Sequence, residues 1–257
     1  MAVVRSHAPG NFSWFELATT DQDSAKQFYS KVFGWEPNDS PMGEGLTYTM
    51  LKKEGNDVGA LYKLMPDELA MGLPPHWRIY VTVDNAEDSA KKAEQLGATL
   101  PCPPFDVMEH GRMAIVQDPT GAVIMLWEPK KHPGAGVIDE PNAFCWYELN
   151  TNDTEKAKDF YSKLFGWDVG GSPEYTEWKQ GSRSLGGMMK IQPEWGPMPP
   201  NWTPYIMVES ADQYAEKIKS NGGNVMMGPA DIPNTGRFAI VSDPQGAVFA
   251  LYEPLKK

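Results

Sequence analysis

Apolar residues along the chain switch repeatedly between the two-residue period of a strand and the 3.6-residue period of a helix. Residues 12–17 (FSWFEL) have strand composition. Over residues 24–33, Ala25, Phe28, Tyr29 and Val32 fall at i, i+3, i+4 and i+7, which makes one apolar helix face. Asp21 stands at the N-cap and Gly34 at the C-terminal stop. A Gly- and Pro-rich stretch follows and reads as punctuation, and residues 46–53 and 58–64 read as strands. The pattern then restarts with a strand at 77–83 and a helix at 86–96 ended by Gly97. Strands at 113–117 and 122–127 are joined by the turn Asp118-Pro119-Thr120-Gly121.

The whole series occurs twice. Residues 12–35 and 144–167 match without gaps at 15 of 24 positions, so the chain contains a duplication. The offset is 132 there but 125 for Trp77 and Trp202, for Gly111-Arg112 and Gly236-Arg237, and for Asp118-Pro119 and Asp243-Pro244. The second copy has therefore lost seven residues in its middle, as a surface loop tolerates. Its later elements fall at 202–208, 211–220, 238–242 and 247–252. The expected organisation is a first domain at 10–130, a Pro- and Gly-bearing linker at 131–142 and a second domain at 143–257, with four βαβββ modules in all.

Composition narrows the function classes. The 257 residues include 23 basic and 34 acidic side chains, a net charge of −11, which argues against nucleic acid or an anionic membrane as partner. A hydrophobic fraction of 41% with nine Trp supplies a packed core rather than a disordered chain. Cys102 and Cys145 have no C-x-x-C spacing, which excludes a zinc ribbon or disulfide framework and suits a reducing compartment. No targeting segment or long apolar run is present, so the expectation is a cytoplasmic protein without a membrane partner.

Asp21, Ala25, Phe28-Tyr29 and Phe33-Gly34-Trp35, with Asp118-Pro119-x-Gly121, form an ordered set. Asp153, Ala157, Phe160-Tyr161 and Phe165-Gly166-Trp167, with Asp243-Pro244-x-Gly246, repeat it. This set resembles the glyoxalase/bleomycin-resistance/extradiol-dioxygenase family, the vicinal oxygen chelate superfamily. The likeness covers nearly all of both copies and is specific as an ordered combination. It resembles in particular the two-domain bacterial branch carrying W-x-E-L near the start of each domain. The resemblance implies an α+β fold, a tandem duplicated glyoxalase-like arrangement in which the four modules form two concave mixed β-sheets with helices outside. It leaves function open, because the family spans lyases, isomerases, oxygenases and non-catalytic drug-binding proteins.

In metal-dependent members, the resemblance implies a divalent ion in the concave face, held by His, Gln or Glu on the first strand of each half and Glu on the closing strand. Mapped by motif, those positions are Trp14, Arg78 and Met125 in the first copy, and Trp146, Thr203 and Ala250 in the second. The last strand of each first half, 60–63 and 188–191, offers no carboxylate or imidazole. A hard cation wants oxygen or nitrogen donors, which these side chains barely supply. All four histidines (His7, His76, His110, His132) lie in the first 132 residues. A one-residue register shift would bring His76 to the restart position, yet no Glu would stand on the closing strand. The expectation is no metal and no other cofactor in either domain.

Strand parity then lists the cavity side chains, since i and i+2 share a face. If Trp14 faces the cavity, Glu16 does too, while Phe15 and Leu17 pack on the helices; Trp146 and Glu148 repeat this. Arg78, Tyr80, Met125 and Trp127 join the first cavity, and Tyr205 and Tyr252 join the second. Aromatic walls around one carboxylate suit a small planar ligand. Glu16 and Glu148 are the candidate catalytic or anchoring groups, with pKa raised by burial. The bland alternatives are that both Trp plug the core and that both Glu are structural, bonded to backbone or paired with Arg78 or a neighbour. Arg112 and Arg237 read as loop-fixing ion pairs, with the holding of an anionic ligand as the alternative, Met226-Met227 as packing, and Lys130-Lys131 and Lys256-Lys257 as solvated charge. Pro74-Pro75 and Pro197–Pro200 read as rigid loops at the cavity mouths. The expected partner is a small-molecule ligand, bound by a monomer or homodimer; the rival expectation is a lyase, isomerase or dioxygenase with a divergent metal site or metal-free Glu acid–base chemistry.

Overall fold

The computed structural model describes residues 3–43 and 45–255. Lys256 and Lys257, expected as solvated charge, lie outside them. The first copy runs β1 (Phe12–Thr19), α1 (Gln22–Phe33), β2 (Glu36–Gly43), β3 (Leu46–Lys53), β4 (Asn56–Lys63), α2 (Pro66–Ala70), β5 (His76–Thr82), α3 (Ala86–Gln95), β6 (Phe105–Val107), β7 (Gly111–Gln117) and β8 (Val123–Pro129). The second runs β9 (Phe144–Thr151), α4 (Thr154–Phe165), β10 (Asp168–Gly171), β11 (Thr176–Gln180), β12 (Arg183–Lys190), β13 (Asn201–Met207), α5 (Ala211–Ser220), β14 (Asn224–Ile232), β15 (Gly236–Ser242) and β16 (Val248–Pro254).

Each copy forms one eight-stranded mixed sheet, in the orders β2-β3-β4-β1-β5-β8-β7-β6 and β10-β11-β12-β9-β13-β16-β15-β14. The four βαβββ modules thus pair within copies. Antiparallel β1·β5 and β9·β13 join the modules, and the parallel pairs β1·β4 and β5·β8 flank the first junction. The register sets Trp14 opposite Tyr80 and Glu16 opposite Arg78; in the second sheet Trp146 faces Tyr205 and Glu148 faces Thr203. Helix α1 is capped by Asp21, which accepts from Ser24 N–H, and ends at Gly34 with φ 73°, a conformation that favours glycine. Asp153 and Gly166 repeat both roles in α4.

Three sequence expectations need correction. The stretch read as punctuation after α1 is an edge strand, β2, whose eight residues are all exposed. It pairs only with β3 and tolerates Pro37 and Pro41 because an edge strand has a free hydrogen-bonding side. The shorter second copy reflects this hairpin: β2 and β3 have eight residues each, β10 and β11 only four and five. Met226 and Met227, expected in packing, are exposed on edge strand β14.

The third correction concerns Phe15, expected against the helices. Its ring stacks on Tyr147 of the other sheet at 5.1 Å between centroids and meets Phe144 at 4.2 Å. The convex faces of the two sheets therefore touch directly along β1 and β9. Trp35 donates its indole N–H to Asn142 O and Trp167 donates to Gly10 O, both at 2.8 Å, so the first copy's Phe-Gly-Trp motif holds the end of the linker and the second copy's holds the start of the first domain. The segment between the sheets is also fixed: Ala135 N–H bonds Ser13 O and Gly136 N–H bonds Asp57 O.

Candidate functional site in the concave faces

The concave face of the first sheet holds one carboxylate in an aromatic shell. Tyr80 donates its hydroxyl to Glu16 Oε2 at 2.6 Å, and Tyr48 lies beside the same carboxylate. Trp14 donates its indole N–H to the Tyr48 hydroxyl at 3.1 Å. Glu16, Tyr80 and Trp14 are all buried, and Trp127 and Met125 complete the wall. The second sheet repeats the arrangement. Tyr205 and Tyr175 donate to the two oxygens of Glu148 at 2.9 and 3.0 Å, and Trp146 donates to the Tyr175 hydroxyl at 2.9 Å. A Trp–Tyr–Glu–Tyr chain thus occurs once per copy.

Tyr48 and Tyr175 were not among the expected residues. Tyr48 comes from the third strand of the first copy and Tyr175 stands one residue before the third strand of the second, and no local pattern ties either to β1 or β9. One signal was present: both precede a threonine, in Tyr48-Thr49 and Tyr175-Thr176, at matching places in the two sheets.

The copies differ in charge. Arg78, opposite Glu16, forms its ion pair with Glu68 on the short helix α2, and Tyr62 donates to Glu68 at 2.8 Å. In place of the Arg78–Glu16 pairing that was one of the structural alternatives, Glu16 takes a phenol and Arg78 a second carboxylate. Burial alone would raise the Glu68 pKa, but the Met65 N–H, Arg78 and Tyr62 together hold it below its ordinary value. His76 Nδ1 lies 2.7 Å from Pro74 O, and its Nε2 accepts from Arg78. His132 packs edge-on against Trp14 at 4.3 Å between centroids, and its carbonyl accepts the Trp127 indole N–H.

Around Glu148 there is no equivalent cation, because Thr203 stands where the first copy has Arg78. Burial pushes the Glu148 pKa up, against the pull of the two phenols. Tyr252 lies half-buried on the closing strand, but its hydroxyl turns to Thr235 O rather than to Glu148. Arg112 and Arg237 pair with Glu87 and Asp106, and with Asp212 and Asp231, as loop-fixing contacts do.

These residues do not fit a divalent ion. The three motif-mapped ligand positions of the first copy carry an indole, a guanidinium and a thioether. Arg78 sets a positive charge opposite Glu16, where a cation would have to bind. No group of three His, Cys, Asp or Glu with metal-binding geometry occurs among the described residues.

Comparison with known proteins assigns the class. The Glyoxalase/Bleomycin resistance protein/Dioxygenase superfamily model matches residues 11–126 and again 143–251. The chain belongs to this superfamily. It is similar to the glyoxylase-like protein CFP32 of Mycobacterium tuberculosis, 38% identical over 251 residues and 95% of each chain. It is also 31% identical to the anthracycline biosynthesis protein DnrV of Streptomyces peucetius, over 96% of this chain and 94% of that one. Among solved structures, the Mn(II)-bound glyoxalase from Novosphingobium aromaticivorans shares the fold with TM-score 0.68 at 15% identity, covering 96% of this chain and 83% of that one. The 2,3-dioxygenase LapB from Pseudomonas sp. KL28 shares it with TM-score 0.66 at 15% identity, over 96% and 92%. Among the described residues, no helix is long and apolar enough to cross a membrane.

Proposed function

We propose that the protein binds small planar aromatic molecules in its concave faces, without a metal, and that Glu16 and Glu148 fix the ligand's orientation. The supporting observation is the duplicated Trp–Tyr–Glu–Tyr chain: a buried carboxylate whose partners are neutral phenols, inside aromatic walls. Such a carboxylate accepts a ligand hydroxyl in place of a tyrosine hydroxyl, while the indoles stack on the ligand's ring. The similarity to DnrV points the same way, because anthracyclines are planar, hydroxylated aromatic compounds. Trp146 and Tyr175 are more exposed than Trp14, so the second face is the more accessible one.

The test is a tryptophan-fluorescence titration with 1,2-dihydroxyanthraquinone after dialysis against EDTA. Saturable quenching is expected, with Glu16→Gln and Glu148→Gln each weakening one site by about tenfold, the loss of a charge-assisted hydrogen bond. Variants that bind as the parent does would remove the carboxylates from the proposal, and binding that requires an added metal would remove its metal-free part.

A second reading rests on Glu148 alone. Burial raises its pKa above the ordinary carboxylate value, and a buried carboxyl shifted in that direction suits metal-free acid–base chemistry on a bound carbonyl compound. EDTA-resistant turnover of the hemithioacetal of methylglyoxal and glutathione, lost in Glu148→Gln, would favour this reading.

A further inference from the structure

Strand β9 carries Asn150 two residues beyond Glu148, and side chains at i and i+2 share a face. Asn150 is buried; its register partner on β13 is Asn201, as that of Glu148 is Thr203. The second concave face therefore sets an amide beside its carboxylate, about 6–7 Å further along the strand. The fold does not require this amide, because the matching residue of β1 is Ala18.

Three neighbouring positions differ together between the copies. Ala18, His76 and Arg78 of the first sheet are replaced by Asn150, Asn201 and Thr203 in the second. The first set holds α2, through the ion pair of Arg78 with Glu68. The second set forms a neutral relay whose direction a backbone carbonyl fixes. Pro199 O can only accept, so Asn201 turns its Nδ2 to that oxygen at 2.9 Å and its Oδ1 to Thr203. The Thr203 hydroxyl donates its one proton to Asn201 Oδ1 at 3.0 Å. Towards Asn150 it can then only accept, and it takes an Nδ2 hydrogen at 3.4 Å.

The relay thus orients the Asn150 amide and leaves part of it unused. One Nδ2 hydrogen is unengaged, and Oδ1 has no partner among the described residues, yet that oxygen is not sealed from solvent. Around Glu148 the protein's donors are all engaged: both phenols donate to the carboxylate, and Trp146 donates to Tyr175. A molecule lying along β9 meets a carboxylate that accepts and, one strand step on, an amide that both accepts and donates.

We propose that Asn150 is a specificity-determining residue of the second concave face. The inference rests on the reading that this face binds planar aromatic molecules, and it names their class: phenols whose far end carries a carboxamide or another group that both donates and accepts. The phenol hydroxyl donates to Glu148, and the far group donates to Asn150 Oδ1 and accepts from Nδ2. A para-substituted benzene ring spans about one such strand step. The first face, with Ala18, does not make this distinction.

Isothermal titration at pH 7 tests this in Glu16→Gln protein, so that the second face dominates. The probes are 4-hydroxybenzamide and methyl 4-hydroxybenzoate, whose hydroxyl groups are of similar acidity but whose ester has no hydrogen to donate. The amide is expected to bind about fivefold more tightly than the ester. Asn150→Ala installs the residue that the first copy already packs; it should weaken the amide more than the ester and remove the preference. Thr203→Val cuts the relay and should reduce the preference to about twofold. A merely structural Asn150 would weaken both probes alike. Equal affinity for the two probes in the Glu16→Gln protein, or a preference that survives Asn150→Ala, would overturn the inference and leave the concave-face reading standing. Saturable binding of neither probe would overturn both.

Discussion

The hydroxyl of Tyr161 donates to Oδ2 of Asp118 at 2.7 Å, joining helix α4 of the second copy to the closing turn of the first. Tyr29 and Asp243 make the reciprocal bond at 3.1 Å. In each case the other oxygen of the aspartate accepts backbone N–H groups of its own turn, so one side chain both folds the turn and receives the other domain. Trp202 and Trp77 donate to the two tyrosine hydroxyls, which extends each bond into a buried chain. The Phe-Tyr and Asp-Pro-x-Gly motifs that identify the fold in the sequence thus meet across the domain seam.

Replacing Tyr161 by Phe leaves Asp118 Oδ2 and the Trp202 indole N–H without their partner in a buried seam. A buried polar group stripped of its partner costs about 1–3 kcal/mol. Tyr161→Phe should therefore lower the unfolding free energy by roughly that much in urea titrations, and Tyr29→Phe should behave alike. Because the seam belongs to both domains, the variants should still unfold in one transition; a separate early transition of one domain would contradict the seam's role.

Acid should destabilise the protein through His132. Burial depresses its pKa from an ordinary 6.5 to about 4, because the ring packs between Trp14 and Trp127 with a buried nitrogen that no described group engages. A depressed folded-state pKa contributes stability above pH 6.5 that is lost as pH falls towards 4, where the unfolded chain takes up the proton first. The loss should amount to about 1–2 kcal/mol after allowance for partial exposure. His132→Phe keeps the ring contacts and should flatten the fall in urea midpoint between pH 7 and pH 4.5; an unchanged slope would assign the acid sensitivity elsewhere.

Metal addition provides a third check. An ion held at 10 μM affinity and supplied at 1 mM would stabilise the fold by about 2.7 kcal/mol, a shift of several degrees in melting temperature. With Arg78 opposite Glu16 and a thioether on the closing strand, Mn2+ or Zn2+ should leave the melting temperature of EDTA-treated, tag-free protein within about 2 °C of the metal-free value. A larger rise would locate donors that the concave faces do not offer.

The fold was legible because duplication doubled every signal: Asp21 and Asp153 cap matching helices, and Gly34 and Gly166 end them. The site was legible only along β1, β5, β9 and β13, where two-residue parity places Trp14 beside Glu16 and Tyr80 opposite Trp14. Parity cannot say which residue of a distant strand reaches the same carboxylate. Tyr48 arrives from β3, and Tyr175 lies one residue before β11 begins. Glu68 comes from a five-residue helix with no apolar period. Tyr62 stands in β4 among residues with no carboxylate or imidazole, and nothing in its neighbours marks the phenol as a partner of Glu68. Phe15 misled because an apolar residue on a convex face meets helices or another sheet with equal ease, and only the assembled seam decides.

Gly187 offers a way to disturb one concave face without touching its carboxylate. A Cβ at that position would overlap the Tyr175 ring and hydroxyl, whereas the register-equivalent residue in the first sheet, Ala60, already carries one. Gly187→Ala should therefore push Tyr175 off Glu148 and leave the Trp146 indole N–H without its acceptor. Tyr175 favours the ionised form of Glu148, so its withdrawal should move that carboxyl's pKa further above its ordinary value. A carboxyl with a raised folded-state pKa contributes stability that is present below its unfolded pKa and lost as pH rises through the folded one. The variant should accordingly lose more stability than the parent as pH rises above the ordinary carboxyl value of 4.5, and 13C NMR of labelled glutamate should follow the same carboxyl titrating later. Ligand quenching should fall at the second face alone, with the Glu16 site intact. If the Glu148 titration does not move, Tyr175 is not its controlling donor.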